Sequence, residues 1–184
     1  VLMAELAVRD ACDALASMVS YPDDGYAGRV ATGLTAMTRV CPPGADRLSP
    51  YTDWVAHAST AEMQELYAQT FDFDPACTLD VGWHVYGEHY DRGEFLVRLR
   101  RAMRESGVIE STELPDHLSH MLALLGRVDP GQARAYVSDA LLPALSKVRT
   151  ALDGKNNPFD PLLDAIQIVL GEVAGSMSEG GATT

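Results

Sequence analysis

DRGEFLVRLRRAMRESG, residues 91–107, decides the fold class, because its apolar residues recur at the spacing of a helix. Phe95, Leu99 and Met103 stand four residues apart, whereas the arginines at 98, 101 and 104 fall outside that stripe. Apolar residues three or four positions apart lie on one face of an α-helix, and glycine commonly follows a helix end. The stretch therefore predicts an amphipathic helix that ends at Gly107.

The same periodicity continues along the chain, and no alternating run is long enough to predict a strand. Further helices are predicted over about residues 3–19, 25–40, 59–71, 116–125, 130–152 and 158–177. Ser49 is expected to cap a short helix with Pro50 in its first turn, and Pro143 is expected to kink its helix. The prediction is all-α: one globular domain of about nine helices over 1–170, then the end of the last helix and a flexible tail over 171–184.

Composition and net charge narrow the range of functions. Hydrophobic residues make up 47% of the chain and charged residues 22%, as is usual for globular proteins. No apolar run approaches the roughly 18 to 20 residues that cross a bilayer, and acids occur within the first ten positions, unlike a secretory leader. The net charge of −12 would repel a phosphate backbone. We therefore expect a cytoplasmic protein that neither inserts into a membrane nor binds nucleic acid.

The charge is unevenly distributed, and the cysteines are scattered. Residues 76–109 carry five acids and five bases, whereas the segments on either side carry at least twice as many acids as bases. Acidic flanks favour basic, amphipathic partners by electrostatic steering. The three cysteines stand at least 29 positions apart, which fits neither a disulfide framework nor a C-x-x-C metal site. We expect reduced, mostly buried thiols.

Histidines and carboxylates at a spacing of four raise the alternative of a metal-dependent helical-bundle enzyme. Residues at this spacing share a helix face, and they are Asp80, His84 and Glu88, Glu113 with His117, and Asp116 with His120. The Glu-x-x-His units of di-iron bundles are missing from the sequence, as are a G-x-S-x-G elbow and a glycine-rich phosphate loop. We predict no metal site. The alternative enzyme would use a His and carboxylate site formed by His84, Glu88, Glu113 and His117.

Three short segments carry residues suited to binding a peptide. YAQTFDFDPACTL, residues 67–79, has aromatic residues around a helix break between acids. YGEHYDRGEFL, residues 86–96, contains the pattern G-x-x-x-x-R-G, and ELPDHL, residues 113–118, combines acids, proline and histidine. Aromatic residues at a helix end belong to a core as often as they line a groove. In this order on an all-helical chain, the segments resemble the NarJ branch of the NarJ and TorD redox-enzyme maturation chaperones, over about residues 5–170.

This resemblance implies a TorD/NarJ-like helical fold and a system-specific chaperone rather than an enzyme. Such a chaperone holds the apo catalytic subunit of a nitrate-reductase-like molybdoenzyme by its amino-terminal segment or twin-arginine leader. The molybdenum cofactor is inserted meanwhile, and the subunit is then released for assembly or export. No cofactor is bound permanently, but transient contact with molybdopterin guanine dinucleotide or a guanine nucleotide is implied. Both a monomer and a helix-swapped dimer are compatible with the family.

By motif match, the client-binding groove is expected to comprise Tyr67, Phe71, Asp72, Phe73, Asp74, Trp83 and Tyr86. An amphipathic client helix would lay its apolar face there, while its basic residues meet the rim acids Asp72 and Asp74. The family motif loop comprises Glu113, Pro115, Asp116 and His117. In this loop Pro115 fixes the turn, Asp116 is expected to cap helix amides, and His117 is expected to change protonation near neutral pH.

Arg92 and Arg98 are candidates for contact with the cofactor or another anion, because guanidinium groups bind planar anions. Simpler explanations exist for the same segment. Close helix packing would account for Gly87 and Gly93, and an ion pair would account for Arg92. Arg98 stands four residues after Glu94 and could form an ordinary surface pair with it.

Overall fold

The computed structural model describes the backbone of residues 2–179 and the side chains of residues 7–175. This part of the chain contains no β-strand, and its α-helices are α1 (Leu2–Met18), α2 (Tyr26–Val40), α3 (Pro42–His57), α4 (Thr60–Tyr67), α5 (Val81–Tyr86), α6 (Tyr90–Ser106), α7 (Leu118–Leu125), α8 (Pro130–Tyr136), α9 (Leu142–Leu152) and α10 (Asp160–Glu179). Two π-helical turns, Ala68–Asp72 and Val137–Leu141, extend α4 and join α8 to α9. The segments thus form nine helical rods, which confirms the predicted all-α fold.

The helices pack around a continuous apolar core. Helix α1 lies against α2 and α7, α2 lies against α3, and α3 lies against α10. Helix α5 contacts α6 and α9, and α9 in turn contacts α10. All three cysteines are buried and free, as predicted. Within the described residues, no helix has the length and apolarity needed to span a membrane.

Several helix ends follow the predicted capping rules. At the start of α4 the Ser59 hydroxyl accepts the Glu62 N–H, and the Glu62 carboxylate accepts the Ser59 N–H, which completes a capping box. The Asp129 carboxylate accepts the Gln132 N–H at 3.0 Å and caps α8. Helix α6 ends at Gly107, whose φ of +73° lies in the left-handed region that favours glycine. Local sequence signals therefore place these ends correctly.

Two prolines behave differently from the prediction. No helix begins at Ser49, because α3 already begins at Pro42 and contains Pro50 in its interior. Proline suits the first turn of a helix, so the PPG sequence at 42–44 starts α3. A kink was predicted at Pro143, and the irregularity found there is the π-helical turn that directly precedes α9. This turn includes residue 139, whose carbonyl would meet the proline ring in a regular helix.

An aromatic cluster joins α3 and α4 to the residue that precedes α10. The Phe159 ring is 1% exposed, and its centroid lies 5.0 Å from that of Phe71, 5.6 Å from that of Tyr51 and 5.9 Å from that of Tyr67. Tilted and edge-to-face arrangements of this kind are favourable for aromatic rings. The Tyr67 hydroxyl also donates to the Val19 carbonyl at 3.0 Å. Because Tyr67 and Phe71 belong to this cluster, the cluster fixes the position of the beginning of segment 67–79.

We predict that Phe159→Ala lowers the free energy of unfolding by about 3–5 kcal/mol, because it removes the ring shared by this cluster and leaves a cavity. Urea denaturation measures the loss. Phe73→Ala is the matched control, since the Phe73 side chain is 77% exposed and should cost far less. Equal losses for the two variants would contradict the central role of Phe159.

Candidate functional site

The three segments singled out in the sequence meet at one pocket of about 380 Å³. It is lined by Tyr67, Phe71, Asp72, Pro75, Thr78, Leu79, Asp80, Trp83, Arg92, Glu113 and His117. This volume lies in the range of about 300–1,000 Å³ that is usual for ligand sites. Residues that are up to 50 positions apart in sequence are therefore neighbours around one concave surface.

The apolar wall of the pocket is also part of the core. Tyr67 and Phe71 are only 3% and 4% exposed, and their rings pack 5.0 Å apart within the aromatic cluster. Trp83 is half-buried on the first turn of α5 and contributes a further aromatic side chain. Tyr67 and Phe71 therefore belong to the core and also line the pocket. The apolar wall is rigid because the core holds it.

Three carboxylates, Asp72, Asp80 and Glu113, face the same pocket. Burial raises the pKa of Asp72, and burial together with the charges of Asp80 and Asp72 raises the pKa of Glu113. Among the described residues, the carboxylates of Asp72 and Glu113 have neither an ion-pair partner nor a hydrogen-bond donor. The pocket thus carries negative charge that the described residues do not neutralise, and a cationic group would bind favourably there.

The third carboxylate of the pocket, that of Asp80, belongs to an ion-pair network with Arg92 and the buried Asp116. Arg92 Nε donates to Asp116 Oδ2 at 3.0 Å, and Arg92 Nη2 donates to Asp80 Oδ2 at 3.0 Å. Asp116 is fully buried, and its Oδ2 also accepts the Gly82 N–H at 3.1 Å. The predicted ion pair of Arg92 is therefore present. Through it, the loop before α7 is joined to the start of α5 and to α6.

A short backbone pairing reinforces this connection. The Leu118 N–H donates to the Leu79 carbonyl at 2.8 Å, and the Val81 N–H donates to the Asp116 carbonyl at 2.9 Å. These bonds form an isolated antiparallel bridge between residues 80 and 117. A Cβ atom at Gly82 would lie 2.5 Å from Asp116 Oδ2, so only glycine fits beside the carboxylate. The two segments are consequently held in one register.

The structure corrects the predicted roles of Asp116 and His117. Helix α7 begins at Leu118, and its N-cap is His117, whose Nδ1 accepts the Ser119 N–H at 3.3 Å. Asp116 does not cap this helix, because the bridge to residues 79–81 draws its side chain to the amide of Gly82 at the start of α5. The expected capping by Asp116 is real, but the capped helix is α5.

His117 does not change protonation near neutral pH, contrary to the prediction. Burial, with a smaller contribution from the charge of His120, lowers the pKa of His117 to about 4. The imidazole is 4% exposed, and its Nδ1 lies 2.8 Å from the Ser119 hydroxyl. It is therefore neutral under ordinary conditions and serves as a structural cap at the pocket.

The other predicted site residues are divided between the pocket and its surroundings. Phe73 points away from the core and is 77% exposed, whereas Asp74 pairs with Lys155 at 3.6 Å and caps the turn at 74–76. Tyr86 packs its ring 5.3 Å from that of Phe95 and does not line the pocket. Pro115 is buried in the loop before Asp116. Of the predicted groove residues, those that line the pocket are Tyr67, Phe71, Asp72 and Trp83.

The candidates for anion contact do not share a site. Arg92 lines the pocket, but two carboxylates already hold its guanidinium group. Arg98 lies elsewhere on α6, where it pairs with Glu94 at 3.9 Å. The packing expected at Gly87 and Gly93 is also wrong, since a Cβ atom at either position would meet nothing within 4 Å. Gly87 is required instead by its backbone, which has φ +59° and ψ −135°.

Four pocket residues were not predicted as binding residues: Pro75, Thr78, Leu79 and Asp80. Asp80 entered only as a metal ligand. It occupies the N-cap position of α5, but its side chain makes no cap hydrogen bond there, so the local sequence carries no signal of its role. Nothing in the sequence pairs it with Arg92, because that contact depends on the packing of α5 against α6.

The geometry required by the metal-site alternative is not present. Helix α5 ends at Tyr86, so Glu88 does not share a helix face with His84. Glu113 and His117 both precede α7, so these two residues do not share a helix face either. The His84 Nε2 atom lies 2.7 Å from the Thr78 carbonyl oxygen. Within the described part of the chain, no group of three or more His, Cys, Asp or Glu side chains could hold a metal ion.

A second, larger depression of about 810 Å³ lies between α3, α9 and α10. Its one arginine, Arg149, is held by Asp160, Asp164 and Gln167 at 2.6–3.0 Å. Asn157, also in its wall, donates to the Thr70 hydroxyl at 2.8 Å and accepts the Phe159 N–H. These polar side chains are used within the protein, so this surface offers less unsatisfied binding capacity than the acidic pocket.

Residues 35–164 match the family model described as nitrate reductase delta subunit. The chain belongs to the nitrate reductase delta subunit family. The matched region contains all three motif segments and every residue that lines the acidic pocket. The predicted membership in the NarJ-type family is thereby confirmed.

Two curated relatives of this delta subunit family member come from Escherichia coli K12. The chain is 30% identical over 106 residues to the nitrate reductase molybdenum cofactor assembly chaperone NarJ, an alignment that covers 57% of the chain and 44% of NarJ. It is 25% identical over 162 residues to NarW, also named as such a chaperone, which covers 88% of the chain and 68% of NarW. The match therefore spans less than half of NarJ. Both names describe assembly and not catalysis, in agreement with the prediction that this family member is not an enzyme.

A solved structure shares the fold of this family member. The crystal structure of a protein described as a redox enzyme maturation protein from Archaeoglobus fulgidus superposes with a TM-score of 0.64. The alignment covers 89% of the chain and 93% of the archaeal protein at 17% sequence identity. The likeness supports the TorD/NarJ-like helical fold that the motif resemblance implied.

We predict that Arg92→Ala lowers the free energy of unfolding by about 3–5 kcal/mol, because it leaves the fully buried Asp116 carboxylate without its cation. Chemical denaturation measures this change. Arg98→Ala is the control on the same helix, where the pair with Glu94 is more than half exposed and should contribute well under about 1 kcal/mol. Similar losses for both arginines would mean that the buried Asp116 carboxylate does not depend on Arg92 for its compensation.

A second prediction concerns His117 and pH. Its pKa is about 4 in the folded chain and about 6.5 when unfolded, so below pH 6.5 protons bind preferentially to the unfolded state. The stability associated with neutral His117 is full above pH 6.5 and is lost as the pH falls toward 4. When the pH falls from 7 to 4.5, the free energy of unfolding of His117→Asn should therefore decrease by about 2–3 kcal/mol less than that of the wild type.

Unfolding titrations at several pH values measure this difference. Asparagine can still accept the Ser119 N–H as an N-cap, which keeps the start of α7 intact. His57→Asn, at an exposed position of α3, controls for the loss of a histidine that does not lie in the site. Parallel pH profiles for the wild type and His117→Asn would refute the buried neutral state.

Proposed function

We propose that this protein is a chaperone for the assembly of a nitrate-reductase-like molybdoenzyme, acting on the apo catalytic subunit while the molybdenum cofactor is inserted. The family membership and the names of NarJ and NarW support this role. We further propose that it acts in the cytoplasm, before the subunit is released or exported. The protein supplies binding and no catalytic group.

The acidic pocket is the proposed site for the amino-terminal segment of the client subunit. The observation that carries this proposal is the pair of carboxylates, Asp72 and Glu113, that have no ion-pair or hydrogen-bond partner among the described residues and lie beside an aromatic wall. An amphipathic helix with one basic side chain complements such a surface, because apolar residues contact the aromatic wall and the cation meets the carboxylates. A twin-arginine leader or its remnant has this chemistry.

The proposed mechanism is retention followed by release. The pocket is formed by side chains that the core and the Arg92 network already hold, so little ordering of the protein accompanies binding. The client segment is the part that becomes ordered, which keeps affinity moderate and release feasible. The overall charge of −12 attracts a basic segment before contact.

Direct contact with molybdopterin guanine dinucleotide or a guanine nucleotide is not part of this proposal. The phosphate groups of such a molecule would meet Asp72, Asp80 and Glu113 in the pocket. The one guanidinium there, that of Arg92, is already bound by two carboxylates. The residues of the pocket therefore suit a cation, and the expected cofactor contact stays a prediction that their geometry does not favour.

Affinity purification tests the client. The tagged protein would be isolated from its native host grown under nitrate-respiring conditions, and co-purifying proteins would be identified by mass spectrometry. A molybdoenzyme catalytic subunit, recovered from the wild type but lost when that subunit lacks its amino-terminal segment, would support the proposal. Recovery that does not depend on this segment would move the contact to another part of the client.

We predict that Asp72→Asn combined with Glu113→Gln lowers the affinity for the client's amino-terminal peptide by about tenfold or more, since hydrogen bonds to charged groups contribute about 1.5–3 kcal/mol. Isothermal titration calorimetry with the synthetic peptide measures the effect. Asp74→Asn is the matched control, because Asp74 pairs with Lys155 and does not line the pocket. An unchanged affinity in the double variant, with the fold intact, would exclude the acidic pocket as the binding site.

A further inference from the structure

His120 is a buried histidine that does not itself line the acidic pocket. It lies on the first turn of α7, and its side chain is only 5% exposed. A buried imidazole requires hydrogen-bond partners for its ring nitrogens. The partners of His120 belong to segment 107–117, which joins α6 to α7 and carries Glu113.

The two ring nitrogens of His120 contact residues on opposite sides of Glu113. Nε2 accepts the Ser111 N–H at 3.1 Å, and Nδ1 lies 2.8 Å from the Leu114 carbonyl oxygen. A carbonyl oxygen can only accept a hydrogen bond, so Nδ1 carries the proton of the neutral ring, and Nε2 is free to accept. One rigid ring in one tautomer therefore connects the backbone at position 111 to the backbone at position 114.

The Ser111 hydroxyl extends this connection to Glu113. Its oxygen lies 3.0 Å from Nε2 of His120 and accepts the Glu113 N–H at 3.2 Å. The carbonyl oxygen of Leu114 also accepts the His117 N–H at 3.0 Å. We call Ser111, Leu114 and His120 the His120 clamp. The clamp fixes the backbone on both sides of Glu113 to α7.

The position of Glu113 depends on its backbone, because its side chain is not held. The Glu113 carboxylate lines the acidic pocket without an ion-pair partner or a hydrogen-bond donor among the described residues. Residues 107–116 belong to no helix or strand, so regular secondary structure does not fix them either. Arg100 also pairs with Glu110 at 2.6–2.9 Å, but these side chains are 46% and 34% exposed. Exposed pairs of this kind contribute little to the order of a loop.

We propose that His120 is a positioning residue of the acidic pocket, which holds Glu113 in place through Ser111 and Leu114. This inference rests on the proposed function, in which the Glu113 carboxylate meets a cation of the client segment. A loop that is ordered before binding loses little conformational freedom when the client arrives. The clamp therefore raises the affinity for the client, although His120 does not contact it.

Calorimetric titration of the full chain with the synthetic amino-terminal peptide of the host's nitrate reductase catalytic subunit tests this proposal. His120→Leu removes both ring nitrogens, and it should weaken binding by about tenfold because the loop must then become ordered on binding. His120→Gln keeps one acceptor and one donor on a planar group and should recover most of the affinity. Ile109→Ala, at an 87% exposed position of the same segment, is the matched control and should have no effect.

A double-mutant cycle with Glu113→Gln separates positioning from a general loss of stability. If His120 acts through Glu113, His120→Leu should weaken binding far less in the Glu113→Gln background than in the wild type. Equal losses in the two backgrounds would overturn the inference and leave the proposed function standing. So would an unchanged affinity in His120→Leu when Glu113→Gln alone weakens binding. Wild-type affinity in Glu113→Gln would overturn both this inference and the assignment of Glu113 to the client site.

Two further measurements do not require His120→Leu to fold. Ser111→Ala removes the hydroxyl that accepts the Glu113 N–H, at an exposed position outside the helices, and should weaken binding by about threefold. Nitrogen-15 NMR of the wild type should show the Nδ1–H tautomer of His120, whose signals are identified by their loss in His120→Gln. An unchanged affinity in Ser111→Ala, or the Nε2–H tautomer of His120, would contradict the clamp.

Discussion

The buried ion pair between Asp116 and Arg92 is the interaction on which the site depends. Burying a carboxylate is costly unless a cation and hydrogen-bond donors compensate it, and Asp116 receives the Arg92 Nε–H and the Gly82 N–H on one oxygen. Its other oxygen, Oδ1, has no hydrogen-bond partner in the structure. The network is therefore better understood as a device that fixes one arrangement of α5, α6 and the loop before α7 than as a large source of stability.

That arrangement separates acids with structural roles from acids available for binding. Asp116 and Asp80 share the single guanidinium of Arg92, so their charge is largely compensated within the chain. Asp72 and Glu113 lie at the same pocket without such compensation, and burial raises their pKa values. A partner that supplies a cation is attracted by these two carboxylates, whereas a partner that supplies a phosphate is repelled by them.

Sequence reasoning succeeded where the determinants are local. The stripe of Phe95, Leu99 and Met103, the capping box at Ser59 and the glycine after α6 each depend on residues within one or two turns, so their structures could be predicted. It failed where a contact joins distant segments. The Asp116 side chain resembled a cap for its own helix, and only the pairing of residues 79–81 with 116–118 redirects it to α5. The same pairing buries His117 and removes its expected titration near neutral pH.

The two sides of α6 show how one helix can serve two surfaces without conflict. Its inner side contributes Phe95 and Leu99 to the core and Arg92 to the pocket, so substitutions there change stability and binding together. Its outer side makes highly exposed ion pairs, so substitutions of Glu94 or Arg101 leave the core and the pocket unchanged, whereas the Arg98 guanidinium also lies 5.9 Å from the centroid of the buried Phe95 ring.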